Sequence, residues 1–105
     1  MSQPRSVSAA RQGASQAVAY TATSATVTNA FGSQTYLIRV ASSSACHFRV
    51  VEAAGGAATT TDTFLPANTI DYIVVSPGQK ISAIRASTGG LITATDGTLN
   101  VTEMN

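Results

Sequence analysis

Charge is the scarcest property of this 105-residue sequence. Asp, Glu, Lys and Arg make up 10% of it, whereas roughly 25% is usual in soluble domains. The net charge is only +1, which excludes the strongly basic surface that nucleic-acid binding requires. A weakly charged surface of hydroxyl and methyl groups costs little to desolvate, so it suits contact between subunits.

Cysteine and long apolar runs are also scarce. Cys46 is the only cysteine, so neither an internal disulfide nor a cysteine-based zinc site is possible. No stretch approaches the about 18 consecutive apolar residues of a membrane span, and we expect no membrane contact. One His and five scattered acids have no spacing typical of metal ligands, which leaves only a cation shared between subunits.

Candidate catalytic residues form no recognisable arrangement. Cys46 and His47 are adjacent in sequence, but consecutive side chains of a strand lie on opposite faces, so they cannot act as a catalytic pair. Gly89-Gly90 lacks the following helix that a phosphate-binding loop needs. We therefore predict that the protein is not an enzyme and has no catalytic, cofactor-binding or metal-binding residues.

Alternation of apolar and polar residues is abundant, and it predicts β-strands. Residues 34–40 and 45–51 alternate in this way, and the serines at 42–44 between them predict a hairpin turn. Cys46 is expected on the inner face of the second strand, where its thiol is buried and unreactive.

A second hairpin is predicted between residues 70–75 and 80–86. Pro77-Gly78 lies between them and fits a type II turn, because Pro presets φ at the first central position and Gly accepts positive φ at the second. The same alternation predicts the residues of the core, which are Tyr36, Ile38, Val40, Phe48, Val50, Tyr72, Val74, Ile81, Leu99 and Val101.

The strands together predict the fold class. Turn signals recur every eight to twelve residues, and no segment can supply the helical crossovers of a parallel sheet. We expect an all-β fold, a small antiparallel β-sandwich of about six to eight short strands, either jelly-roll-like or immunoglobulin-like. Residues 20–105 form this domain, and residues 1–19 form an extended N-terminal arm.

The predicted arm is rich in Ser and Ala and contains Arg5 and Arg11 but no acid. A segment with so few large apolar side chains cannot bury enough surface to order itself. We expect it to extend from the sandwich and to contact neighbouring subunits, with both arginines pairing with acidic groups or carbonyls there.

Three further basic residues, Arg39, His47 and Arg49, face outward on the two strands of the first predicted hairpin. They are candidates for a small basic patch that contacts an acidic neighbour. An equally good interpretation is a solvated face on which an arginine pairs with Glu52 or Asp71.

Several segments resemble the small β-sandwich virion proteins of tailed bacteriophages. They are Gln34-Thr-Tyr-Leu-Ile-Arg-Val40, Cys46-His-Phe-Arg-Val50, Phe64-Leu-Pro-Ala-Asn68, Asp71-Tyr-Ile-Val-Val-Ser-Pro-Gly-Gln-Lys-Ile81 and Gly97-Thr-Leu-Asn-Val-Thr-Glu103. The resemblance implies a non-enzymatic virion structural protein on the capsid surface. Its partners would be the major capsid protein or other virion subunits, together with further copies of itself.

Two roles are compatible with this resemblance. A capsid decoration or cement protein would oligomerise on the capsid and stabilise the particle. A head-fibre or tail accessory module would instead present loops such as 53–58 and 87–90 to glycans of the host surface.

Overall fold

Within the residues that the structure describes, the alternating segments form eight short strands. The computed structural model describes residues 11–89 and 92–104. The strands are β1 (Gln12–Tyr20), β2 (Ala25–Thr26), β3 (Leu37–Ser42), β4 (Cys46–Glu52), β5 (Thr63–Leu65), β6 (Ile70–Val74), β7 (Gln79–Arg85) and β8 (Gly97–Met104). The type II turn predicted at Pro77-Gly78 is confirmed, because Gly78 has a φ of 83° and the Gln79 N–H bonds the Ser76 carbonyl.

The strands pair antiparallel in two four-stranded sheets. Sheet A has the order β1-β8-β3-β6, and sheet B has the order β2-β7-β4-β5. Most consecutive strands therefore belong to different sheets, and of the described strands only β4 and β5 are both consecutive and paired. This is the strand order of an eight-stranded jelly roll. The predicted all-β sandwich is confirmed, and the jelly roll is the form it takes.

The hydrophobic core lies between the two sheets. Tyr20 from β1 is fully buried there and packs in one cluster with side chains from both sheets. The predicted core residues that are buried are Ile38, Val40, Phe48, Ile81, Leu99 and Val101. Burial of a large aliphatic side chain contributes about 1.5–3 kcal/mol, so these residues supply the main driving force for closing the sandwich.

The prediction was wrong for Tyr36 and Val74, which are 62% and 80% exposed. Val74 lies on β6, the edge strand of sheet A, where the partly buried Ile73 is the residue that packs against the core. Because neighbouring side chains of a strand alternate between faces, Val74 points outward. Tyr72 shares its parity and is only partly buried.

Both predicted hairpins were wrong. β3 and β6 belong to sheet A, whereas β4 and β7 belong to sheet B, so each short turn carries the chain across the sandwich. The crossing after β3 is held by Ser44, a buried residue whose Oγ donates to the Thr95 carbonyl at 2.9 Å. A short polar turn can reverse the chain within a sheet or carry it to the facing sheet, and the sequence pattern is the same in both cases.

The boundary predicted between arm and domain was also wrong. Residues 12–20 form β1, which pairs with β8 as the edge strand of sheet A. Val18 and Tyr20 place their side chains in the core, and this burial together with the pairing orders the strand without a neighbouring chain. The sandwich therefore includes the residues from Gln12 onward that the arm was predicted to contain, and residues 1–10 of the predicted arm lie outside the described residues.

Candidate functional site: an exposed sheet face

The outer face of sheet B is largely covered by the loop between β4 and β5. Ala58 in this loop is buried, and its N–H bonds Ser82 Oγ at 3.0 Å. At Gly56, where φ is 121°, a Cβ would lie 2.7 Å from Val51 Cγ1. Only glycine fits so close to another side chain with this backbone. The loop at 53–58, predicted to be displayed, therefore packs back onto its own domain at these positions.

The outer face of sheet A has no such cover among the described residues, and we call it the bare face. Outside the irregular end where Gln12 is aligned with Met104, the register of the four strands assigns twelve residues to it. They are Ser15, Ala17 and Ala19 of β1; Thr98, Asn100 and Thr102 of β8; Leu37, Arg39 and Ala41 of β3; and Ile70, Tyr72 and Val74 of β6. Arg39 is the one charged residue in this set. Apart from Arg39 and the Asn100 amide, the bare face is thus made of hydroxyl, methyl and apolar groups.

Large apolar side chains gather at the β6 side of the bare face. Val74 is 80% exposed and is paired with Leu37 in the register, and Ile70 is 50% exposed. These residues with Tyr72 form what we call the apolar patch. Grouped exposed apolar side chains of this kind mark surfaces that contact another molecule.

The predicted basic patch does not form. Arg39 lies on sheet A, whereas His47 and Arg49 lie on sheet B, so they occupy opposite sides of the sandwich. The error follows directly from the wrong hairpin between β3 and β4. His47 instead packs against Phe64, with ring centroids 5.3 Å apart, and its Nδ1 lies 2.9 Å from the Asp62 carbonyl oxygen.

The predicted ion pairs with Glu52 and Asp71 are not found among residues 11–89 and 92–104. Glu52 accepts a hydrogen bond from the Gln79 side chain at 2.7 Å. The ion pair that does form joins Arg85 to Asp96 at 2.8 Å.

The structure describes one of the two arginines of the predicted arm. Arg5 lies outside the described residues, whereas Arg11 is exposed and directly precedes β1. Contact of either arginine with a neighbouring subunit stays a prediction.

The chemically reactive groups are buried or dispersed. Cys46 is free and buried, and burial raises the pKa of its thiol to about 11. His47 points to the opposite face, as predicted for consecutive residues of a strand. In the part of the chain that the structure describes, no three His, Cys, Asp or Glu side chains are grouped as metal ligands, and no helix is long and apolar enough to cross a membrane.

A cleft of about 380 Å³ opens at the end of the sandwich where the loops after β3, β5 and β7 meet. Its wall combines hydroxyl groups with apolar side chains, including Phe64 and Ile92, and contains no charged residue. Two of its hydroxyls are engaged in the fold: Ser44 Oγ donates to the Thr95 carbonyl, and Ser43 Oγ accepts the Thr98 N–H. The cleft is therefore a neutral surface of limited free hydrogen-bonding capacity.

Comparison with known proteins yields no relative. No family model matches the chain, and no curated protein or solved structure matches it either. The resemblance to phage virion proteins thus gains no support from these comparisons and stays a prediction.

Proposed function

We propose that this chain is a non-enzymatic structural protein of a virus particle, most simply a capsid decoration protein that binds the assembled shell. Eight-stranded jelly rolls occur in viral capsid proteins and in lectins. Because one fold serves many functions, the proposal rests on the surface rather than on the fold.

The observation that carries the proposal is the apolar patch on the bare face. Val74 alone exposes 80% of its side chain, next to Leu37 and Ile70 on a sheet face with a single charged residue. Apolar surface removed from water contributes about 25 cal/mol per Å², so covering this patch favours association. A decoration protein gains further from avidity, since many copies act on one particle.

The division of the sandwich into a covered and an uncovered face fits this role. The loop at 53–62 shields sheet B, so a docked molecule would place its bare face against the shell and its covered face toward solvent. The low overall charge keeps the cost of desolvating the contact small.

Co-sedimentation with capsids tests the proposal. The full chain is mixed with empty capsids of the virus that encodes it, and bound protein is measured against concentration. We expect saturable binding, and we expect Val74→Lys to weaken it at least tenfold because the lysine must be desolvated in the contact. Thr26→Lys is the matched control, since Thr26 is an exposed strand residue on the other sheet.

Two results would count against the proposal. The first is failure of the unmodified protein to sediment with capsids. The second is equal binding by the Val74→Lys and unmodified proteins when both are folded by circular dichroism.

The second candidate function is an adhesion module that binds host glycans. The neutral cleft favours it, because Phe64 supplies an aromatic surface against which a sugar ring can pack. Screening the protein on a glycan array, with Phe64→Ala as the comparison, separates this function from decoration. Glycan binding that Phe64→Ala abolishes and Val74→Lys leaves intact would favour adhesion.

A further inference from the structure

The four sheet edges of the sandwich differ in how well they are protected against pairing with another chain. In sheet B, β2 and β5 have only two and three residues, and such short edges offer little to pair with. In sheet A, the β6 edge is blocked by its own side chain, because Asp71 Oδ1 accepts the Tyr72 N–H at 2.8 Å. An acid at an edge is a common protection against strand addition.

Among the residues that the structure describes, the remaining edge, β1, has none of these protections along most of its length. It has nine residues, and no charged residue or proline occurs from Gln12 to Asn29. Its one irregularity is a register shift between Gln12 and Ser15, which leaves the segment from Ser15 to Ala19 regular. The unprotected edge is therefore a regular, uncharged stretch of strand with small side chains.

The register shows which backbone groups of β1 face outward. The Thr98 carbonyl bonds to the chain that follows β3, so the next residue, Leu99, turns its backbone groups toward β1. Leu99 is the register partner of Val18, and Val18 is thus bonded within the sheet. The alternate residues Ala17 and Ala19 direct their N–H and C=O groups away from the sheet.

We propose that β1 pairs antiparallel with β1 of a second copy about a two-fold axis at Ala17. In this register Ala17 lies opposite the partner's Ala17, and Ser15 lies opposite the partner's Ala19. These residues exchange backbone hydrogen bonds, and sheet A continues across both copies as one eight-stranded sheet. The inference rests on the proposed function. On the virus particle, a second copy of the chain would be one partner of each decoration subunit.

We choose a second copy of the chain as the partner of the β1 edge because this edge is complementary to itself. In a two-fold contact residue i of one copy lies opposite residue j of the other and j lies opposite i, so an edge with charges of one sign would bring like charges together. The β1 edge contains no charge, and its alanines and serine leave room for a neighbouring strand. Residues 1–10 of another copy are a poorer match, because Pro4 lacks an N–H and Arg5 finds no acid on this edge.

Sedimentation velocity on the full chain tests the inference, with amide exchange measured by NMR on the same samples. We expect a dimer whose Ala17 and Ala19 amides become protected as the concentration rises. Ala17→Pro should give a monomer with an intact fold, because the N–H it removes is not used by the fold. Ala17→Lys should do the same by placing two ammonium groups together.

Ala41→Lys is the matched control. It adds the same charge to the bare face, but on β3, which is paired on both sides, so this variant should remain dimeric. A monomeric unmodified protein would overturn the inference. So would a dimer that Ala41→Lys dissociates and both Ala17 variants leave intact, because that dimer would form through the sheet face.

Failure here is distinguishable from failure of the proposed function. A monomer that still binds capsids would refute the β1 pairing and leave decoration standing. A dimer with the expected Ala17 dependence that binds no capsid would refute decoration and leave the pairing standing.

Discussion

The Tyr20 hydroxyl donates to the Ser44 carbonyl at 2.6 Å and accepts the Ser44 N–H at 3.2 Å. Ser44 Oγ, whose proton goes to the Thr95 carbonyl, also lies 3.0 Å from the same hydroxyl. Tyr20 ends the first strand, and Ser44 lies in the crossing from β3 to β4. One buried phenol therefore fixes the position at which the chain passes between the sheets.

Replacing Tyr20 by Phe should lower the free energy of unfolding by about 1–3 kcal/mol, since it leaves buried Ser44 groups without their partner. Urea denaturation measures the change. Tyr36→Phe removes the same atom from an exposed side chain and should stay within about 0.5 kcal/mol of the unmodified protein. Equal losses in the two variants would contradict the importance of the Tyr20 bonds.

Gly97 lies against this same group, so its substitution should also destabilise. A Cβ at Gly97 would be 2.2 Å from Ser44 Oγ and 2.7 Å from the Tyr20 hydroxyl. Gly97→Ala should cost about 1–3 kcal/mol, as overpacking does elsewhere. A Cβ at Gly89 meets nothing within 4 Å, so Gly89→Ala serves as the control in the same thermal denaturation series.

Glu103 should be needed for stability, although it lies at the end of the last strand. It is buried, and its Oε1 accepts the Thr35 hydroxyl and, at 3.1 Å, the Gly32 N–H. Glu103→Ala should cost about 1–3 kcal/mol because these donors lose their acceptor. Glu103→Gln keeps an acceptor oxygen and should cost less. If the two variants unfold at the same urea concentration, the hydrogen bonds are not the reason for the burial of Glu103.

The Cys46 thiol should make stability fall at high pH. Burial raises its pKa to about 11 in the folded protein, above the value in the unfolded chain. The stabilisation is fully present below the unfolded pKa, and it is lost as the pH rises toward 11. Cys46→Ala should flatten this part of the stability curve, measured by urea denaturation at stepped alkaline pH. If Cys46→Ala leaves the slope of stability against pH unchanged, the loss of stability at alkaline pH is due to other groups. Tyr20 is one such group, because burial also raises its pKa.

The same thiol should react slowly with a maleimide in the native protein, because it is buried and protonated. Ser43→Cys provides an exposed thiol in the adjoining turn and should react within the mixing time. Rapid labelling of native Cys46 would show that this part of the core opens readily.

Alternation in the sequence was sufficient to predict the class of fold and several core residues. Leu99 and Val101 alternate with polar residues in a strand whose two faces differ, so the inner face is evident from sequence. In β6, by contrast, Tyr72 and Val74 are as apolar as Ile73. Periodicity divides such a strand into two faces and does not say which of them is covered.

Connectivity and the candidate site depended on information that local pattern does not contain. Whether Ser44 belongs to a hairpin or to a crossing is decided by Tyr20 and Thr95, which are distant in sequence. The bare face follows from the sheet order, which in turn follows from those crossings. Arg39 could therefore be recognised as outward-facing, but its true neighbours could not.

The pairing of the first strand with the last sets the order in which this molecule can fold. Gln12 is aligned with Met104, so β8 must be synthesised before β1 acquires its partner in sheet A. Contacts between such distant residues slow folding, and until they form the strand remains open to wrong partners. β8 also pairs with β3, so it lies between β1 and β3 in sheet A. Sheet A therefore cannot assemble until this eight-residue strand is present.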